Sequence, residues 1–360
     1  MNRLFFLKHS AVDVLFTKNS SDFVVNELPL YEFSGEGEHL ILQIRKKNMT
    51  TWDMLQKLSE VCGAKVRDFG YAGLKDKDGL TTQYVSVHKS YEDKFADFND
   101  DKIKIVSKTY HNNKIRIGHL SGNRFFIRLK KVNKIDASKL ENAIKVLAEE
   151  GFPNYFGYQR FGVSGDNYKI GKEILEGKRK ERRAKMKNFF ISAYQSHLFN
   201  EWLSSRIEIS HLLEGFDDGE AVKALGFSKE LIKELRRQKR FLKIFKGDVA
   251  HHYPIGKAFL CEDLGTEIER FFNKEITLTG WLPGGRSMRS EEFAKELEDK
   301  VYAEAEQYLK QMDGSRRFAW AFLKDVEYKY KEDENWFEMH FSLPKGSYAT
   351  VVLEELTHKL

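Results

Sequence analysis

Cysteine is nearly absent from this sequence: only Cys62 and Cys261 occur in 360 residues, about two hundred positions apart. That excludes a disulfide framework and a CxxC site and makes the reducing cytoplasm the default address. Proline is also scarce, five residues in all, which argues against a disordered or low-complexity chain. Long apolar runs are missing too. A stretch such as Ala319-Trp320-Ala321-Phe322-Leu323 falls far short of the ~20 residues that cross a bilayer. The opening Met1-Asn2-Arg3-Leu4-Phe5-Phe6-Leu7-Lys8 soon meets charge and has no small-residue cleavage site, so no signal peptide is expected. Neither sign of charge dominates: 60 Lys and Arg against 54 Asp and Glu leave +6, a mixed and mildly basic balance. Aromatic residues, by contrast, are plentiful, with 28 Phe and 15 Tyr. Such a chain buries a sizeable core and has room for two or three domains.

Periodicity divides the chain into three stretches. The first third reads mainly as strands. Leu40 to Arg45 is a largely apolar strand ending in Arg45-Lys46-Lys47, and residues 81–88 and 114–120 alternate as strands do. Along residues 124–132, Phe125, Ile127 and Leu129 share one face while Arg124, Arg128 and Lys130 share the other. Thr50 and Asp53 form a capping box ahead of an apolar stripe at Trp52, Leu55, Leu58 and Val61. Asp136 begins a second helix that buries Leu140, Ile144 and Leu147 and stops at Gly151. From about Pro153 to Ser315 the pattern is mostly helical and carries two basic segments, residues 178–187 and 236–246. Strand character returns where Phe337, Met339, Phe341 and Leu343 alternate with polar residues, and Ser347 is placed to cap a last helix. Strands at both ends of a helical middle suggest one sheet domain split by an insertion; three domains in a row is the alternative.

The densest polar segment between apolar flanks runs Gly73-Leu74-Lys75-Asp76-Lys77-Asp78-Gly79. On composition alone this is a solvated surface hairpin. Against that reading, Asp76 lies between two lysines, and neighbouring cations favour the carboxylate, the form that covalent carboxylate catalysis needs. Ala72-Gly73-Leu74-Lys75-Asp76-Lys77, followed by Thr81 and Gln83, resembles the signature of the tRNA pseudouridine synthase D family. Further elements occur in the family's order. Ser21-Asp22-Phe23-Val24-Val25-Asn26-Glu27 resembles EDFxVxE, and Gly35-Glu36-Gly37-Glu38-His39 resembles GEGEH. Gly122-Asn123-Arg124-Phe125 is similar to GNxF, and residues 153–162 read PNYFGYQRFG. Leu343-Pro344-Lys345-Gly346-Ser347-Tyr348-Ala349-Thr350 resembles LPxGSFAT.

The resemblance implies isomerisation of a tRNA uridine, commonly uridine 13 in the D arm, to pseudouridine without metal, nucleotide or organic cofactor. It implies an α+β (mixed α/β) fold: a catalytic domain with a largely antiparallel sheet, made of residues 1–149 and 316–360, interrupted by a helix-rich insertion at residues 150–315. The tRNA would lie in the cleft between them, and no protein partner or membrane is implied. By position the catalytic carboxylate is Asp76. Phe125 corresponds to the family's stacking aromatic, Asn123 lies near it to meet the pyrimidine edge, and Phe23 and Tyr348 correspond to aromatics walling the pocket. Lys18 resembles a basic residue that pairs with the Asp. The uridine must leave its stack, costing a few kcal/mol, and each aromatic stack returns roughly 1–3 kcal/mol. Without the motifs these aromatics read as ordinary core. Phosphate contacts are expected from Lys75, Lys77 and Arg160, and from Arg182, Arg183, Arg236 and Arg237 in the two basic segments. His251-His252 and Cys261-Glu262-Asp263 lack the spacing of a zinc motif, so no metal site is expected. The rival functions are a non-catalytic tRNA-binding or chaperone protein and a metal-dependent RNA nuclease.

Overall fold

The computed structural model describes residues 3–359; Met1 and Asn2, the start of the stretch read above as no signal peptide, and Leu360 lie outside the described residues. The first third supplies β1 (Phe23–Pro29), β2 (His39–Lys47), α1 (Thr51–Cys62), β3 (Gly70–Tyr71), β4 (Leu80–His88), β5 (Ile103–His111), β6 (Leu120–Lys130) and α2 (Lys134–Glu150). The capping box forms as expected, with Thr50 and Asp53 each accepting from the other's backbone N–H at the start of α1. Asn133, rather than Asp136, is the N-cap of α2, and Gly151 ends the helix. One expected strand does not form. Residues 114–119 make a turn in which Ile115 is 3% and Ile117 69% exposed, although strict alternation would put both on one face.

The middle of the chain holds β7 (Phe152–Pro153), α3 (Asn167–Leu175), α4 (Ala184–Gly215), α5 (Asp218–Leu225), α6 (Lys229–Arg237), β8 (Val249–His252), β9 (Ala258–Leu260), α7 (Leu264–Phe272), β10 (Ile276–Leu282), α8 (Glu292–Tyr302) and β11 (Ser315–Phe318). It is richer in strands than its periodicity indicates, because β8 to β11 form a small sheet in the order β11-β10-β8-β9. Its central strand β10 is buried almost throughout, so it shows no alternation. This small sheet ends at Phe318, where β11 pairs with β10.

The last stretch gives β12 (Trp320–Ala321), β13 (Lys324–Lys331), β14 (Trp336–Pro344) and α9 (Ala349–Thr357). Strand β12 pairs with β7, so the chain enters and leaves the middle stretch through one two-stranded ribbon. The large sheet has the order β13-β14-β6-β1-β4-β2-β5, with β3 on β4. Each pairing is antiparallel except β1 with β4, and the N- and C-terminal stretches meet where β6 pairs with β14 over nine residues. Phe125, Ile127, Leu129, Phe337, Met339 and Phe341 lie in the main apolar core with residues of α2 and α9. Leu40, Leu42, Ile44, Val85 and Val87 lie in a second core with Met54, Leu55 and Leu58 of α1. The N-cap of α9 is Tyr348, without a side-chain cap bond, so the expected cap by Ser347 does not form.

Candidate active site

The register of the large sheet places a polar group at the middle of an otherwise apolar face. One row across it reads Lys46, Thr81, Val25, Phe125, Phe341, and another contains Glu27, Asn123 and Leu343. Lys46, Glu27, Thr81 and Gln83 are buried. Buried polar groups need partners, and two of theirs, the Lys75 ammonium and the Asp76 main-chain oxygen, come from the segment joining β3 to β4.

Within that segment, residues 72–79, Lys75 and Asp76 are tied down at three points. The Lys75 backbone N–H donates to Thr51 Oγ1 at 3.0 Å, and the Thr51 hydroxyl donates to Gln83 Oε1 at 3.0 Å. The Lys75 ammonium turns inward, 2.8 Å from Glu27 Oε2 and 2.7 Å from Asn123 Oδ1. The Lys46 ammonium donates to the main-chain oxygens of Asp76 at 2.8 Å and Met49 at 2.6 Å. Burial pulls the Lys46 pKa down to about 8, with the Asp76 carboxylate acting in the opposite direction. Gly79 closes the segment with φ +87°, and a Cβ there would lie 2.6 Å from the Phe23 carbonyl oxygen, so the chain passes β1 only as glycine.

The backbone of Asp76 is thus fixed, while its side chain is exposed at the rim of a cleft of about 230 Å³. Lys18, Phe23, Lys75, Asp76, Asn123, Phe125 and Tyr348 all line this cleft, together with Gln159 and Ser347. The rings of Phe23 and Phe125 stack with centroids 6.3 Å apart, and Phe125 lies 5.6 Å from Phe341 behind it. Tyr348 stands on the opposite connection, between β14 and α9, with its ring centroid 6.4 Å from that of Phe156. The buried Ser347 hydroxyl has no hydrogen-bond partner among the described residues, leaving a free polar group in the lining. Aromatic faces, an amide, a free hydroxyl and a carboxylate around one hollow suit a flat, polar-edged ring attached to a sugar.

The expected site residues divide by location. Lys18 shares the cleft with Asp76 but forms no ion pair with it; its ammonium lies 6.0 Å from the centre of the Phe23 ring. The Lys75 ammonium is committed to Glu27 and Asn123 with 5% of its side chain exposed, which corrects the expectation of a phosphate contact there. Lys77 is exposed in the same loop. Arg160 follows Gln159 and bonds Ser192 and Ser196 of α4, which puts it beside the cleft. Arg182 is exposed, and Arg183 pairs with Glu181 just before α4.

The second basic segment divides into an exposed start and a mostly buried remainder. Helix α6 stops at Arg237; Phe241, Leu242, Ile244 and Phe245 are core, and Arg240 and Lys243 are buried against backbone carbonyls. Arg236 bonds the Phe216 carbonyl and Asp218. Phe216 follows α4, roughly 36 Å along its axis from Ser192, so Arg236 and its neighbour Arg237 are remote from the cleft. Among the described residues no group of three or more His, Cys, Asp or Glu is placed to hold a metal ion.

Lys46, Thr51, Gln159 and Ser347 are site residues that the sequence reading missed. For Lys46 a signal existed: it falls in phase with Leu40, Leu42 and Ile44 on the inward face of β2, whereas Arg45 and Lys47 point the other way.

The fold as a whole is that of a known class. A crystal structure from Methanosarcina mazei assigned to tRNA pseudouridine synthase D superposes with a TM-score of 0.72, covering 99% of this chain and 96% of the other, at 21% sequence identity. The family model described as tRNA pseudouridine synthase D (TruD) matches residues 2–185 and 181–356. The chain is 55% identical over 359 residues to tRNA pseudouridine synthase D of a Nitratiruptor species, covering 100% of this chain and 99% of the relative. It is 53% identical over 357 residues to the protein of that name from Campylobacter jejuni, covering 99% and 96%. This chain belongs to the tRNA pseudouridine synthase D family.

Proposed function

We propose that this protein isomerises a uridine of tRNA to pseudouridine, with uridine 13 of the D arm as the target, Asp76 as the acting carboxylate and no cofactor. The observation that carries the reading is the Asp76 loop, pinned by Thr51, Lys46, Glu27 and Asn123, at the rim of a hollow walled by Phe23, Phe125 and Tyr348. A uridine turned out of its helix stacks against Phe125. Asn123 meets its pyrimidine edge, and Asp76 meets the nucleoside. In the isomerisation the N1–C1′ bond breaks, the base turns, and a C5–C1′ bond forms. The hydrogen at C5 leaves as a proton and N1 takes one up, so the atoms balance with no other reactant. The catalytic part is built from the two ends of the chain, with the insertion as the other wall of the tRNA cleft. The cytoplasm, where tRNA is found, is the working compartment. No helix among the described residues is long and apolar enough to cross a membrane.

The test is incubation with tRNA carrying tritium at uridine C5, with and without a chelator. The reading predicts one hydrogen released per pseudouridine formed, no chain breaks, and a single modified site. Strand cleavage blocked by the chelator would replace it with a nuclease, and tight tRNA binding with no release would replace it with a binding protein.

A further inference from the structure

A second hollow lies beside the cleft, reached along the backbone from Gln159, which lines the first, to Arg160, which lines the second. Its volume is about 480 Å³, and its walls come from the start of α4 and from residues 310–313. Three cations line it, Arg160, Lys185 and Lys310, against one carboxylate, Asp313.

The cations here are not neutralised. Arg160 bonds only the hydroxyls of Ser192 and Ser196, through Nε and one terminal nitrogen; its Nη1 has no partner among the described residues. Its guanidinium carbon lies 5.6 Å from the centre of the Phe189 ring and 5.8 Å from that of Phe156. On Phe156 a second guanidinium, Arg317, sits 4.0 Å from the ring centre, and it too lacks a carboxylate partner among the described residues. Lys185 is exposed and reaches across to the catalytic side, 5.8 Å from the ring of Trp52. Cations without counter-ions favour an anion, and an aromatic face next to them favours a base.

Resting on the function proposed above, we propose that this hollow is a second nucleotide subsite, which takes the nucleotide adjoining the everted uridine, its phosphate on Arg160 and Lys185 and its base on Phe189. The continuity of the two hollows through Gln159 and Arg160 is the main support, since adjacent nucleotides of one strand need adjacent pockets. The subsite holds the strand on the far side of the phosphate, so the uridine is drawn into the cleft by its neighbour as well as by its own contacts.

The test pairs protein variants with RNA variants. The affinity of the full chain for tRNA is measured over a range of salt concentrations for wild type, Lys185→Gln, Phe189→Ala and Phe189→Trp, with intact tRNA and with tRNAs abasic immediately 5′ or 3′ of the modified uridine. Phe189→Ala should weaken binding about tenfold and Phe189→Trp should restore it. One of the abasic tRNAs should weaken wild type to a similar degree and cost Phe189→Ala nothing further. Lys185→Gln should flatten the salt dependence by about 0.7–0.9 in log–log slope. Wild type that forms pseudouridine while these variants keep its affinity and slope, or while the abasic and Phe189→Ala losses simply multiply, would overturn the subsite. Wild type that binds tRNA and shows the Phe189 coupling but forms no pseudouridine would overturn the isomerase reading and leave the subsite standing.

Discussion

The ion pair between Lys75 and Glu27 separates the stability of the site from its chemistry. The two charges lie 2.8 Å apart, and the side chains are 5% and 1% exposed. At an effective dielectric of about 20 their attraction is about 6 kcal/mol, most of it offset by loss of hydration on folding. Removing one partner leaves a buried, uncompensated charge and costs roughly 3–5 kcal/mol. Lys75→Met and Glu27→Gln should therefore each lower stability by that amount in urea unfolding. The double variant should recover most of the loss, because no lone charge remains. Activity should not follow stability. Asn123 loses its bond from Lys75 in both Lys75→Met and the double variant, and the Asp76 loop loses one of its three anchors. Pseudouridine formation should stay depressed in the double variant, chiefly in kcat. Two results would refute the reasoning: single variants as stable as wild type, or a double variant whose recovered stability brings recovered turnover.

Other outcomes follow from the same geometry. Lys46 has a folded-state pKa of about 8 against an ordinary value of 10.5, so between those pH values the unfolded chain binds the extra proton and stability rises with pH. Lys46→Met should flatten that part of the stability–pH profile, and an unchanged profile would contradict the burial. Phe125→Leu keeps an apolar side chain in the core while removing the stacking face, so unfolding should change by less than about 1.5 kcal/mol while tRNA affinity falls by a larger amount. The Tyr348 hydroxyl has no hydrogen-bond partner among the described residues, so Tyr348→Phe should leave turnover within about twofold of wild type, whereas Tyr348→Ala should lower it well beyond that. A sharp loss in Tyr348→Phe would assign the hydroxyl a direct part in the reaction.

The large sheet was largely legible because its strands have one apolar and one polar face; Phe125, Ile127 and Leu129 could be placed from alternation alone. The small sheet was not, because β10 is buried on both faces and β8 and β9 are four and three residues long. The basic run at 236–246 misled for a related reason. Charge density suggested a solvated surface, but Arg240 and Lys243 spend their donors on backbone carbonyls inside the protein. In the site, Asp76, Phe23, Asn123, Phe125, Tyr348 and Lys18 were found through motif resemblance rather than spacing, and all six line one cleft. Lys75 shows what sequence adjacency cannot convey. Next to Asp76 in the chain, it points away into the sheet, while the cation that holds the Asp76 backbone is Lys46, thirty residues upstream.

Asp76→Asn tests the central claim most directly, since it replaces a carboxylate oxygen by an amide on a side chain that carries none of the loop's anchoring bonds. Single-turnover pseudouridine formation, with tRNA affinity measured on the same preparation, should show binding close to wild type and product at background. Product formed at a rate near wild type by a folded, tRNA-binding Asp76→Asn protein would contradict the account.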